Sequence, residues 1–324
     1  MLGKKCSGLH LCSMLATCVS LFSPSCQSLA VLPSPPYPNT TDDTNEISTT
    51  YDATILADSP VALWGMCASN PNEYDLTGNG NTGTYIPSIP RTAALPNGDD
   101  AAELDGSSQY LTVPSNEAFS IPTTGYLTWE AWIKPSVADF SIASRGGYVS
   151  WLGKCANYSP TCEWEGRMYS ASSNRPNRLS AYAFNLTAGR GSGAYWQPNP
   201  GVIQVDHWYH VVGQFTTHTT TPANSNTTQT PGEIDIWVNG IKWNQARHGQ
   251  TGLMSQYNIV PQAADSPLNI GSKAQDNFFK GAIGKVAIYD YLLSDARVKA
   301  HYTAMTGKEP TGSCTSTCSL GGVE

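Results

Sequence analysis

The sequence predicts an all-β protein, a two-sheet antiparallel β-sandwich (jelly roll) with one short C-terminal helix. Three observations carry that prediction. Residues 104–135 hold two runs of period-two alternation around turn-forming residues. Further short strand-like runs follow, separated by turns rich in Gly, Pro and Asn, and only one late segment has helical periodicity. Composition agrees: 324 residues with 40% hydrophobic content supply a core, while only 13% are charged, against about 25% in ordinary soluble domains.

The N-terminal residues read as an address. MLGKK is basic, residues 9–22 are mostly apolar, and Ser28-Leu29-Ala30 places small residues where a signal peptidase cleaves. Residues 1–30 are therefore expected to be a secretory signal; the apolar run is shorter and more polar than the roughly 20 residues of a membrane span. Residues 31–50 are rich in Pro, Ser and Thr and read as a flexible spacer, 51–305 as the folded domain, and 306–324 as a flexible Cys-containing tail.

Within the domain, 126–135 alternates. Leu127, Trp129, Ala131 and Ile133 share one face, Thr128, Glu130 and Trp132 the other. One face is expected to pack on a second sheet and leave the other available for contact. Strands are expected at 163–170, 179–185, 207–215, 267–271 and 281–289. Residues 233–243 form a hairpin around Asn239-Gly240, the favoured pair for a type I′ turn. A helix is expected over 295–305, with Ser294 as its cap, Leu293 and Val298 as a hydrophobic staple, an apolar stripe of Val298, Tyr302 and Met305, and Gly307 as its stop.

Charge and cysteines narrow the function classes. A net charge of −7 without Lys/Arg clusters argues against nucleic acid or an anionic membrane as partner. Beyond the signal stand Cys67, Cys155, Cys162, Cys314 and Cys318. Cys155 with Cys162, and Cys314 with Cys318, are disulfide candidates in an oxidising compartment, leaving Cys67 either buried and reduced or joined between chains. Neither pair has a second Cys or His pair at zinc-ligand spacing. Ser and Thr are so frequent that chance accounts for the sequons at Asn39, Asn157, Asn185 and Asn226.

Taken in order, YDATILADSPVALW, DLTGNGNTGTY, AAELDGSSQYLTVP, LTWEAWIKP, DHWYHVVGQF, IDIWVNG, LNIGS and FFKGAIGKVAIYDYLLSDARVKAHYTAM resemble a laminin G-like jelly-roll domain of the concanavalin A-like lectin/glucanase superfamily. The segment KCANYSPTCEWEGRMYSASSNRPNRLSAYAFN is similar to an insertion in bacterial secreted members. The resemblance implies the sandwich fold. For function it implies only a range: lectins, adhesion modules, receptors and glycan hydrolases.

Four sets of residues are candidates for function. Glu233 and Asp235 share a sheet face, as in the Glu-x-Asp run of laminarinase-like relatives, but the third acid of those enzymes is replaced by Trp237 and Val238. A retaining mechanism needs a nucleophile and an acid/base, so the pair reads as the outer face of a hairpin whose Ile234, Ile236 and Val238 enter the core. Glu130, Trp132, Trp208, His210 and Trp237 stand opposite the apolar set of their own strands and form a candidate binding face for a sugar ring or protein loop. Trp151, Lys154, Glu163, Trp164, Arg167, Tyr169, Arg175, Arg178 and Tyr182 in the insertion are either a recognition surface or an internal ion-pair and cation–π network. Asp75, Asn79, Asn81 and Asp105, with Asp99 and Asp100, offer oxygens for Ca²⁺, which the resemblance makes a candidate cofactor; Gly284-Lys285 stands where many relatives have an acidic pair. Together these observations favour a secreted, non-catalytic recognition or adhesion module for a glycan or extracellular protein. A structural component of an envelope, appendage or matrix comes second and a glycan hydrolase or lyase third.

Overall fold

In the computed structural model the chain pairs into two eight-stranded antiparallel sheets. The structure describes residues 46–140, 147–156, 161–185, 190–198, 201–216, 234–243, 263–273 and 276–311. The expected signal segment, Glu233, Cys314 and Cys318 lie outside them. In chain order the strands are β1 (Ala62–Trp64), β2 (Asn72–Glu73), β3 (Gly83–Ile86), β4 (Arg91–Ala94), β5 (Asp100–Asp105), β6 (Tyr110–Val113), β7 (Tyr126–Pro135), β8 (Tyr148–Cys155), β9 (Cys162–Tyr169), β10 (Leu179–Asn185), β11 (Arg190–Trp196), β12 (Tyr209–Thr216), β13 (Ile234–Val238), β14 (Ile241–Trp243), β15 (Leu268–Ile270) and β16 (Lys280–Tyr289). The first sheet runs β14-β13-β12-β7-β16-β5-β4, with β1 also paired to β16; the second runs β11-β10-β9-β8-β15-β6-β3-β2. Two longer helices, α1 (Glu46–Leu56) and α2 (Asp295–Thr306), complete the unit.

Alternation places the core between the sheets. Leu127, Trp129, Ala131 and Ile133 of β7 are buried there, as are Ile234, Ile236 and Val238 of β13. The Trp129 indole stacks on Trp164 of β9, centroids 4.8 Å apart. These indoles need room that only glycine leaves. A Cβ at Gly213, directly opposite Trp129, would sit 2.5 Å from that indole, and one at Gly166 would sit 2.4 Å from Trp151.

The hairpin turn has φ of 52° at Asn239 and 75° at Gly240, the left-handed pair that a type I′ turn requires. Ser294 accepts from the Arg297 N–H at the start of α2, and Gly307 ends the helix at φ 66°.

Helix α1 is the element that sequence patterning missed. It begins at Glu46, inside the stretch whose composition reads as spacer. Tyr51 and Ile55, one helical turn apart, are fully buried on the outer face of the first sheet. Val298 and Met305 of α2 enter the same layer, with Trp132, Trp237 and Tyr289 beneath them. The outer face of β7, expected to be available for contact, is therefore sealed under helices, and the molecule has three layers instead of two.

Gly213→Ala is expected to lower stability by about 1–3 kcal/mol through overpacking against Trp129, read by denaturant unfolding with an unchanged m-value. An unaltered midpoint would show that the indole is not seated on this glycine.

Candidate functional site

The first candidate face is an internal lock. Glu130 has no solvent exposure. Its Oε1 accepts from the Tyr289 hydroxyl at 2.6 Å, and its Oε2 lies 3.1 Å from His210 Nε2 and 3.0 Å from His301 Nδ1. His301 Nε2 in turn lies 2.7 Å from Asp58 Oδ2, which also accepts from Arg297 Nε at 2.7 Å. Both ring nitrogens of His301 face carboxylate oxygens, which can only accept, so the ring is the imidazolium with two N–H donors.

The electrostatics agree. Burial pushes the Glu130 carboxyl up, but the His301 charge and the hydrogen bonds from both histidines hold it well below the usual carboxylate range. His301 is raised: burial opposes its charge, and Glu130 and Asp58 outweigh burial. His210 is lowered by burial, only partly opposed by Glu130, and stacks on Trp132 at 5.0 Å. The Trp132 Nε1–H donates to the Tyr51 hydroxyl at 3.0 Å, which ties α1 to β7.

Glu130, Trp132, His210 and Trp237 are therefore not a contact surface, because two helices cover them. Trp208, just before β12, is half-buried against the same outer layer and donates to the Ala94 carbonyl at 3.0 Å. Asp235 pairs with Lys242 at 2.8 Å.

Strands β8–β11, of which β9 and β10 lie within the insertion, form one half of the second sheet. On β9, Trp164 and Met168 enter the core, while Glu165, Arg167 and Tyr169 point outward. Trp164 is thus a core residue, its Nε1–H donating to the Phe119 carbonyl at 2.7 Å. Register aligns Tyr148 with Tyr169, Arg167 with Ser180, Ser180 with Tyr195, and Glu165 with Tyr182.

The Arg167 guanidinium lies between the rings of Tyr148 and Tyr182, at 4.1 and 4.0 Å, and pairs with Glu165 at 3.0 Å. Burial disfavours its charge; Glu165 and the tyrosines outweigh burial and raise it. Lys273 joins from the side, 3.0 Å from the Tyr148 hydroxyl and 3.4 Å from Glu165. Arg175 and Arg167 both donate to the Tyr169 hydroxyl at 3.2 Å.

Arg178 differs. It lies 3.9 Å over Tyr195, and burial lowers it; Tyr195 and Tyr169 oppose that and Arg175 reinforces it. Its Nε and Nη1, with Arg175 Nε, Asn177 Oδ1 and Ser180 Oγ, are buried without a hydrogen-bond partner among the described residues. Tyr182 and Tyr195 remain half-buried.

Of the remaining insertion residues, Trp151 lies in the core, and Lys154 and Glu163 pair at 2.6 Å. Cys155 and Cys162 form the expected disulfide. They make the only trio of close metal-type donors among the described residues, with Glu165, and its sulfurs are joined to each other. Cys67 is half-buried, and its backbone N–H bonds the Glu73 carboxyl.

The calcium candidates serve their own turns. Asp75 accepts from the N–H groups of Leu63, Thr77 and Asn81, the Thr77 hydroxyl and the Asn81 amide. Asp105 accepts from the N–H groups of Ser107, Ser108 and Gln109 and the Ser108 hydroxyl. These donors take up the roughly four lone-pair sites of a carboxylate. Asn79 donates to the Val61 carbonyl at 3.1 Å, and the Asn81 carbonyl accepts from Trp64 Nε1 at 2.6 Å. Lys285 spans Asp52 and Asp99 at 2.8 Å each, so an ammonium holds together the acids of that corner.

His301→Gln is expected to destabilise the fold by about 3–5 kcal/mol at about pH 6, since it strips a buried charge pair. The raised folded pKa of His301 gives stability that is complete below its unfolded value of about 6.5 and declines as pH rises through the folded value. Urea unfolding across that range is expected to show the alkaline decline in the wild type and not in the variant; parallel pH profiles would refute the imidazolium.

Solved structures share this architecture at low identity. The binding domain of Paraclostridial Mosquitocidal Protein 1 aligns with TM-score 0.53 and 14% identity over 77% of this chain and 53% of that one. The receptor binding domain of botulinum neurotoxin mosaic serotype C/D aligns with TM-score 0.51 and 11% identity over 76% and 50%. This chain thus spans about half the length of those domains. Domain 4 of AbnA, a GH43 extracellular arabinanase from Geobacillus stearothermophilus, aligns with TM-score 0.48 and 15% identity over 75% of this chain and 98% of that one. No curated protein sequence matches the chain. A family model does, over residues 105–299, more than half of the chain. With the paired sheets in place, that match shows that the chain belongs to the concanavalin A-like lectin/glucanases superfamily.

Proposed function

We propose that the chain is a secreted, non-catalytic recognition module that binds a glycan or an extracellular protein through the outer face of β8–β11. One observation carries this reading: of the two outer sheet faces, one is sealed by α1 and α2, and the other holds half-buried Tyr182 and Tyr195 beside buried polar atoms without partners. Tyrosine rings beside guanidinium groups give amphipathic, rigid contact area of the kind that dominates recognition energetics. Two neighbours that share the fold are the binding domain of a mosquitocidal protein and the receptor binding domain of a neurotoxin; at their identity the likeness reaches the fold alone.

Secretion is supported by the Cys155–Cys162 disulfide and by the address-like N-terminus. The absence of catalysis is supported by how the described carboxylates are used: Glu163, Glu165 and Asp235 each pair with a cation within 3.0 Å. A glycosidase acid and nucleophile must instead face a scissile bond.

The test is a glycan array together with a panel of extracellular matrix proteins, probed with the purified full chain. Tyr182→Ala and Tyr195→Ala are each expected to weaken the bound ligand about tenfold, or about 1.4 kcal/mol, while Trp208→Ala on the first sheet leaves binding unchanged. No binding to any sugar or matrix protein, or affinities unmoved by both tyrosine variants, would overturn the reading.

A further inference from the structure

We propose that Arg178, with Arg175, Ser180 and Tyr195, forms a subsite for the anionic group of an acidic sugar, a carboxylate or sulfate ester carried on a pyranose ring. This inference rests on the β8–β11 face being the contact surface, and it names the class of ligand that face takes. Two arginines of the sheet are buried, and they differ in what surrounds them. Arg167 is 5% exposed, yet it is compensated: Glu165 lies 3.0 Å away, the Tyr169 hydroxyl accepts from Nη1, and three aromatic rings lie within 5.1 Å. Arg178 is nearly as buried, at 7%, and no carboxylate compensates it among the described residues. The groups acting on it are two tyrosines and a second cation, Arg175. Guanidinium cannot shed its proton, and a buried charge left without a partner is among the most costly arrangements in a folded protein. Such a group persists where a ligand completes it.

The neighbouring atoms define what that ligand must bring. Arg178 Nε and Nη1 and Arg175 Nε are unpartnered donors, and the buried Ser180 hydroxyl can donate or accept. Three donors carrying two positive charges call for an oxyanion with several acceptor oxygens. The half-buried Tyr195 ring, against which Arg178 already stacks, supplies the apolar platform on which a sugar ring sits. The chain as a whole carries −7, so this local excess of cations is not a by-product of basic composition. Anion and ring together describe a uronate or a sulfated sugar.

The uncompensated charge of Arg178 also has a consequence for stability that needs no ligand. Removing an uncompensated buried charge in favour of an apolar side chain of similar length is neutral or stabilising. Arg178→Met is therefore expected to keep or raise the unfolding midpoint of the full chain, where Arg167→Met, which leaves Glu165 with only the longer 3.4 Å pairing to Lys273, lowers it.

The binding experiment titrates the full-length wild type and Arg178→Met with polygalacturonate, a sulfated galactan and a neutral galactan, and repeats each titration at raised NaCl. The wild type is expected to bind at least one acidic polymer tenfold or more tighter than the neutral one. Affinity is expected to fall with salt, and Arg178→Met to abolish the preference. The carboxylate and sulfate arms distinguish the two anions. Equal affinity for neutral and acidic polymers, or a preference that survives Arg178→Met, overturns the subsite and leaves the wider reading of the face standing if the tyrosine variants still weaken binding. Silence toward all three polymers with a neutral or protein hit on the array overturns the subsite alone; silence on the array as well overturns both. Should Arg178→Met fail to fold, the stability argument is refuted directly, and Ser180→Ala, which leaves the charge in place, carries the binding test.

Discussion

A carboxylate with no exposure, in the middle of a sheet face, dictates the architecture of half this molecule. Glu130 cannot remain ionised there unless donors surround it. The chain supplies three: the Tyr289 hydroxyl from β16, His210 from β12, and His301 from α2. The third donor comes from a helix, so the lock forms only when α2 lies across the sheet. His301 then brings a second charge that Asp58 must face, and Asp58 follows α1 directly. One buried acid thereby fixes both helices, and the apolar layer of Tyr51, Ile55, Val298 and Met305 closes over the arrangement. Hydrophobic area supplies the driving force; the charge network supplies position, because apolar contacts alone tolerate sliding.

The consequence is a division of labour between two faces of similar composition. Both outer faces carry tryptophan or tyrosine beside charged side chains, the usual chemistry of recognition surfaces. On the first sheet every such group has found a partner within the protein, apart from His210 Nδ1 and Trp237 Nε1. On the second sheet the partnerships stop partway: Arg167 is complete, while Arg178, Ser180 and Asn177 retain buried capacity. Composition does not separate the two cases. Completeness of hydrogen bonding does.

That distinction sets how far the sequence could be read. Period-two alternation placed β7, β9, β10, β13 and β16, because a strand buried on one face must alternate whatever lies beyond it. The Asn239-Gly240 turn and the Ser294 cap were legible for the same reason: each is a local backbone requirement met by few residue types. Alternation assigns side chains to faces but is silent on what covers a face, so Glu130, Trp132, His210 and Trp237 read as a contact surface. Helix α1 escaped notice because EISTTYDATIL contains four Thr/Ser residues, and only Tyr51 and Ile55 are deeply buried among its described side chains, too few for a periodic signal. One clue was available: His301 falls between Val298 and Met305 on the buried stripe of α2, where an ionisable ring needs an acid from elsewhere in the fold. Tyr195 was missed because the glycines of RGSGAYW mask a strand.

Why the sheet tolerates Arg178 at all is the remaining physical question. Its predecessor Asn177 adopts φ 55°, so the chain turns sharply into β10 and delivers Arg178 opposite Tyr169, whose N–H donates to the Arg178 carbonyl. Long cationic side chains ordinarily escape burial by extending their heads into water. Here Tyr195 covers one side of the guanidinium. A charge held under a ring, beside a second charge of the same sign, is a preorganised electrostatic field, and its cost is met in folding before any ligand arrives. Preorganisation of that kind favours binding because nothing remains to be ordered at the moment of contact. The wider core seats the strand beneath: Trp164 of β9 stacks on Trp129, and Gly166 leaves room for the Trp151 indole, so close packing on the inner face sets where β9 presents Arg167 on the outer one.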